Sequence, residues 1–327
     1  MPQKTVLAFL APGQGSQTPG MLADWLELPG AAQRIAAWSD ISGLDLARLG
    51  TTATAEEITD TAVTQPLVVA ATLLAYGELA KRSLQNDTKQ DDTGNTHIIA
   101  AGHSVGELAA YAIAGVISAD EAVSLAAIRG AEMAKACALE PTGMSALLGG
   151  DEDEVLARLD ALDLIPANRN AAGQIVAAGA MSALDKLAED PPARARVRRL
   201  ATAGAFHTQY MASALTGYAT AADQITPAEI SSPDVTLLSN ADGRPVSSAA
   251  DAMTKLVAQM TRPVRWDLCT ATMRELRTST IVEFPPAGTL TGIAKREMKG
   301  TPTHPIKSPA DLDGLAGAFT SLSPWVS

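Results

Sequence analysis

The pentapeptide Gly102-His103-Ser104-Val105-Gly106 constrains this chain more than any other feature, because it stands between a short apolar run, 97–101, and a helical pattern, 107–114. A glycine-flanked serine at a strand-to-helix junction describes the sharp turn of a nucleophile elbow at the edge of an α/β sheet. Glycine on both sides removes the Cβ atoms that would block the turn. The helix that follows supplies N–H groups and positive potential for a developing oxyanion. The same letters also describe a glycine-bounded turn whose serine caps a helix, so chemistry at Ser104 requires a base within reach.

The surrounding rhythm agrees with an α/β core. Residues 6–10 read as a buried strand ending at Pro12, and 66–81 as a helix with Pro66 in its first turn. Ser118 and two acidic residues open a helix over 120–137, and further strands are expected at 235–238 and 280–284. Between these, short strands (144–148, 165–168, 174–178, 196–201) alternate with helices (151–162, 182–189) in the ferredoxin-like order βαββαβ. The expected fold is therefore α/β. A hydrolase-like parallel-sheet domain is built from 1–137 and 205–327, with a small ferredoxin-like α+β subdomain inserted at 138–204. The stretch 85–96 has no apolar residue and reads as a surface loop.

A net charge of −11 argues against nucleic acid or anionic lipid as a partner. The two cysteines, Cys137 and Cys269, are far apart and outside any CxxC pattern, so neither a disulfide framework nor a metal cluster is expected. Pro12 and Gly13 interrupt the first apolar run too early for a signal sequence, and no apolar stretch reads as long enough to span a bilayer. A cytoplasmic protein that begins at Met1 as a discrete enzyme is the expectation.

Of four histidines, His97 borders the polar stretch, His304 lies between prolines in an expected turn, and the His103 side chain should diverge from the neighbouring hydroxyl. Elimination favours His207, in GAFHT, as the base for Ser104. Arg129 shares a helix face with Ala122, Leu125, Ala126 and Met133. A guanidinium on an apolar face needs an anion. That anion is either Glu132, three residues on, or the carboxylate of a substrate held by a planar two-pronged clamp. In PGQGSQ, residues 12–17, Gln14 sits between glycines that let its backbone approach a ligand. The segment lacks the Lys and Ser/Thr of a Walker loop, which disfavours nucleotide binding.

Taken in order, PGQGSQ, GHSVGE, IRG, GMSALLG, GAFHT, RPVRW and LTGIAKR resemble the malonyl-CoA:acyl carrier protein transacylases of fatty acid synthesis, along nearly the whole chain. The resemblance implies a Ser104/His207 dyad, an oxyanion hole from the N–H groups of Gln14 and Val105, and Arg129 as the clamp for the malonyl carboxylate. It implies that Gln259 orients the histidine, and that Phe206, Met144, Asn168, Asn170 and His103 line the substrate cleft, Phe206 restricting room for an α-methyl group. It also implies malonyl-CoA and an acyl carrier protein as partners, by ping-pong transfer that feeds fatty acid or polyketide synthesis. No resident cofactor or metal is implied: coenzyme A arrives as a thioester substrate, and phosphopantetheine is carried by the partner. The competing readings are a serine esterase or thioesterase, with His304 as a late histidine, and an inactive carrier-binding scaffold. Because both enzyme and carrier are acidic, docking calls for a local basic patch, for which Arg194, Arg196 and Arg198 on one strand face and Lys295, Arg296 and Lys299, expected to share a helix, are the candidates. The arginines read equally as a solvated edge that discourages strand pairing.

Overall fold

Successive residues of the first strand, β1 (Thr5–Ala11), point to opposite faces, and both faces are apolar: Leu7, Phe9 and Ala11 enter one core while Ala8 and Leu10 enter another. Burial on both sides is the condition of a parallel sheet covered by helices. In the computed structural model, which describes residues 5–86 and 96–315, β1 lies at the centre of that sheet. The chain continues through helices α1 (Ala23–Leu26), α2 (Ala31–Ser42), α3 (Leu46–Thr51) and α4 (Thr61–Asn86) to β2 (Thr96–Gly102), then α5 (Gly106–Ile113) and α6 (Ala119–Cys137). Strands β3 (Thr142–Gly149), β4 (Ile165–Ala171), β5 (Gln174–Ala180) and β6 (Ala195–Arg199) follow, with α7 (Glu152–Ala161) and α8 (Met181–Glu189) between them. The remainder comprises α9 (Ala212–Ala222), β7 (Val235–Leu237), α10 (Ala249–Ala258), α11 (Trp266–Glu275), β8 (Thr280–Glu283), α12 (Thr289–Glu297) and β9 (Thr303–Pro305).

The large sheet has the order β7-β2-β1-β8-β9, with every pairing parallel. The second sheet has the order β4-β5-β3-β6, with every pairing antiparallel, the ferredoxin-like arrangement expected from the βαββαβ rhythm. It carries its own core, including Leu147, Val155, Leu159, Ile175, Leu184 and Leu187. A seam joins the two units. The Arg169 N–H donates to the Val264 carbonyl at 2.9 Å and the Val264 N–H to the Ala167 carbonyl at 2.8 Å, so β4 pairs with the segment that leads into α11.

Several local expectations shift. Helix α4 begins ahead of Pro66, because the Asp60 carboxylate accepts the Ala62 N–H at 2.8 Å and caps the turn five positions earlier than proline suggested. Pro66 is tolerated inside the helix at the loss of one backbone bond. At its other end α4 runs to Asn86, and 87–95, most of the polar stretch, lies outside the described residues. The segment Thr61–Ser83 is long and apolar enough by length and composition to cross a membrane, contrary to the sequence expectation; here it is a core helix packed against α5 and α6. His304 is not in a turn but on β9, opposite Val282, where Pro305 is accommodated because the strand forms an edge of the sheet.

Candidate active site

Gly102 and Gly106 pack so closely that side chains are excluded. A Cβ on Gly102 would lie 2.0 Å from the Gly106 carbonyl, and one on Gly106 would lie 2.2 Å from the Ala11 carbonyl at the end of β1. The turn they permit holds Ser104 at φ 55°, a left-handed conformation uncommon for a non-glycine residue. His207 is held in the same region, at φ 61°. The two side chains meet: Ser104 Oγ and His207 Nε2 are 2.7 Å apart, and His207 Nδ1 is 2.8 Å from the Gln259 backbone carbonyl. A carbonyl can only accept, so Nδ1 carries the ring proton and Nε2 is the lone-pair nitrogen facing the hydroxyl. Burial and then the nearby Arg129 charge push His207 down to about 3, against the Gln259 carbonyl, which favours the charged ring. The ring is thus neutral over the physiological range, with its Nε2 lone pair free to receive the hydroxyl proton.

Arg129, on α6, is 1% exposed. Its Nη1 donates to Gln65 Oε1 at 2.7 Å, and its Nη2 donates to Gln259 Oε1 at 2.8 Å and lies 3.4 Å from Ser104 Oγ. The local alternative does not occur: Glu132 pairs instead with Lys135 at 2.6 Å. Among the described residues Arg129 makes no salt bridge, and its Nε has no protein partner. A buried cation held only by neutral oxygens is a receptor for an anion.

Beneath the elbow lies a polar network. Gln259 Nε2 donates to the Ser104 carbonyl at 2.9 Å and to Glu107 Oε2 at 2.6 Å, while Glu107 Oε1 accepts the Asn240 N–H at 2.5 Å. Asn240 clasps the elbow from both sides, its Oδ1 accepting the Ser104 N–H at 2.8 Å and its Nδ2 donating to the Gly102 carbonyl at 2.7 Å. Burial pushes the Glu107 carboxyl up to about 8, opposed by these N–H donors and by the Arg129 charge.

Both oxyanion candidates adjoin this turn. Val105 forms the start of α5, and the loop carrying Gln14 is pressed onto the elbow, since a Cβ on Gly13 would lie 2.6 Å from the His103 carbonyl. The Gln14 side chain donates to Thr61 Oγ1 at 3.2 Å. The His103 ring diverges from the hydroxyl as expected. It pairs with Asn170 Oδ1 at 2.8 Å across the inter-sheet gap, and its edge meets Trp266 at 5.6 Å between ring centroids. Ser104, His207 and Arg129 open onto a cleft of about 520 Å³ between the two sheets, which Gln14, His103, Met144, Asn168, Asn170 and Phe206 also line. Buried Asn168 leaves its Oδ1 without a protein partner. His304 is exposed on β9 and is not among the cleft residues.

Three site residues escaped the sequence reading: Gln65, Glu107 and Asn240. Weak signals existed. Gln65 interrupts an apolar helix, Glu107 follows the elbow inside an apolar run, and Asn240 follows a strand in the pattern LSN.

Comparison with known proteins gives a consistent result. The acyl transferase domain family matches residues 8–313 of the chain. A malonyl CoA-acyl carrier protein transacylase of Mycolicibacterium smegmatis is 75% identical over 299 residues, 90% of this chain and 99% of the relative. The crystal structure of the MCAT from Mycobacterium tuberculosis superposes with a TM-score of 0.88 at 69% identity, covering 95% of this chain and 99% of that one. A malonyl-transacylase in complex with a type II PKS acyl-carrier protein superposes at 0.84 with 28% identity, covering 97% and 100%.

Proposed function

Because the chain belongs to the acyl transferase domain family, we propose that it moves malonyl groups from malonyl-CoA to the phosphopantetheine thiol of an acyl carrier protein, through an ester on Ser104, to supply fatty acid synthesis. The observation that carries this reading is Arg129: a buried guanidinium within 3.4 Å of the nucleophile and held only by neutral groups favours a thioester that ends in a free carboxylate. A plain esterase or thioesterase has no use for such a cation, and the neutral carbonyl behind His207 stands where a hydrolase triad places an acid.

With the malonyl carboxylate on Arg129, His207 Nε2 takes the Ser104 proton as Oγ bonds to the thioester carbon. The carbonyl electrons move onto an oxyanion that the N–H groups of Gln14 and Val105 stabilise, each worth roughly 3 kcal/mol in the barrier. The C–S bond then breaks, and the departing thiolate takes the proton from His207 and leaves as coenzyme A. In the second half the carrier's thiol gives its proton to His207 and attacks the malonyl ester, and Ser104 recovers the proton as it departs. The cycle uses only side chains and backbone N–H groups of this chain, and a cytoplasmic location suits substrates of this kind.

The test is direct. Malonyl-CoA alone should leave one alkali-labile malonyl group on the protein, none on a Ser104→Ala variant, and the label should pass to carrier protein on addition. Labelling of Ser104→Ala equal to that of the parent would end this reading, and release of free malonate as fast as transfer would return it to the hydrolases.

A further inference from the structure

The elbow, the dyad and the clamp all converge on the Glu107 carboxyl. Its two oxygens take the Asn240 N–H and the Gln259 Nε2, at 2.5 and 2.6 Å. Through Asn240 it reaches the Ser104 N–H, and through Gln259 it reaches Arg129. An amide side chain has one accepting and one donating end, and a guanidinium can only donate. The sense in which the Gln259 amide lies therefore decides whether it attracts or repels Arg129. Glu107 and the Ser104 carbonyl hold the NH2 end, which leaves Oε1 for Arg129 Nη2 at 2.8 Å.

We propose that Glu107 is a positioning residue for acyl selection: by fixing the sense of the Gln259 amide, it keeps Arg129 aimed at the space beside the Ser104 hydroxyl where the donor's carboxylate binds. The inference rests on the reading of Arg129 as the malonyl clamp. A Glu107→Gln substitution nearly preserves volume but offers one acceptor to two donors. Either Asn240 or Gln259 then faces an NH2 group. The open relief is a half-turn of the Gln259 amide, which would present Nε2 to Arg129 and displace the guanidinium. A carboxyl that served only as core filling would, when replaced, slow loading of every acyl group alike.

The experiment measures acyl-enzyme formation by intact mass with malonyl-CoA and with acetyl-CoA, which lacks the carboxylate, at one pH for every variant. The parent should prefer malonyl, and Arg129→Ala should abolish most of that preference; if either result fails, the clamp reading itself falls. With both in hand, Glu107→Gln should lower the malonyl-to-acetyl ratio of kcat/KM at least about tenfold, the acetyl rate falling less than the malonyl rate. Equal losses on both donors, or an unchanged ratio, overturn the role assigned to Glu107. Should that variant fold poorly, Glu107→Asp keeps the acceptors but is one methylene too short to hold both donors. The same loss of ratio is expected, with the same two outcomes against it.

Discussion

His207 can act as a base because its surroundings keep it uncharged: burial first, then the Arg129 guanidinium, depress it to about 3. The consequence for pH runs in one direction. A ring that is neutral in the folded state and titrates near 6.5 when unfolded contributes its full stability above about pH 6.5, and that contribution is lost as pH falls toward its folded value. Loading of Ser104 from acetyl-CoA should therefore keep its rate well below pH 6.5, and Arg129→Ala should move the acid limb upward by removing a neighbouring charge. A pH profile of the loading step checks both, and an acid limb near 6.5 in the parent would contradict this electrostatic account. The residues in this prediction were visible in the sequence because each stands in an unusual context: a serine between glycines, a histidine reached by elimination, an arginine on an apolar face. Gln65, Glu107 and Asn240 were not, since amides and carboxylates are common and their roles arise from contacts between positions 64 to 152 residues apart.

Among the elements, α5 closely approaches the tip of β1, where Gly106 leaves no space for a methyl group against the Ala11 and Pro12 carbonyls. Gly106→Ala should cost about 1–3 kcal/mol through forced displacement of the helix. Gly77, inside α4, is the opposite case, because an added Cβ meets nothing within 4 Å. Gly77→Ala should stabilise the protein by about 0.5–1 kcal/mol through helix propensity alone. Chemical denaturation of the two variants measures both, and a stable Gly106→Ala would show that the elbow has more freedom than these distances allow. Most elements could be read from apolar periodicity, with the βαββαβ rhythm carrying the second sheet. The misreadings share a cause. Proline marked a start at Pro66 and a turn at His304, but local capping by Asp60 and the edge position of β9 overrode its usual meaning.

For the molecule as a whole, a net charge of −11 slows encounter with another acidic protein unless a basic region receives it. Strand β6 is an edge of the second sheet, and Arg196 and Arg198 are exposed there, while Ala195 and Val197 pack inward. The chain passes from this edge directly into Leu200, Ala201 and Thr202, which line the cleft. Reversing both charges, Arg196→Glu with Arg198→Glu, should raise the apparent KM for carrier protein severalfold at low salt, flatten its salt dependence and leave the KM for malonyl-CoA nearly unchanged. Steady-state transfer at two ionic strengths checks this, and parallel shifts for both substrates would remove the edge from the docking surface. The β4 seam bears on the same encounter. Backbone bonds to Val264 bind the inter-sheet gap along one margin as a spine binds a book. The opposite margin is crossed by the chain itself, which leaves β6 through cleft-lining residues 200–202 and is tied to the start of β3 where the Ala205 N–H donates to Thr142 Oγ1 at 3.1 Å, so both covers of the book are stitched and the slot between them keeps its width.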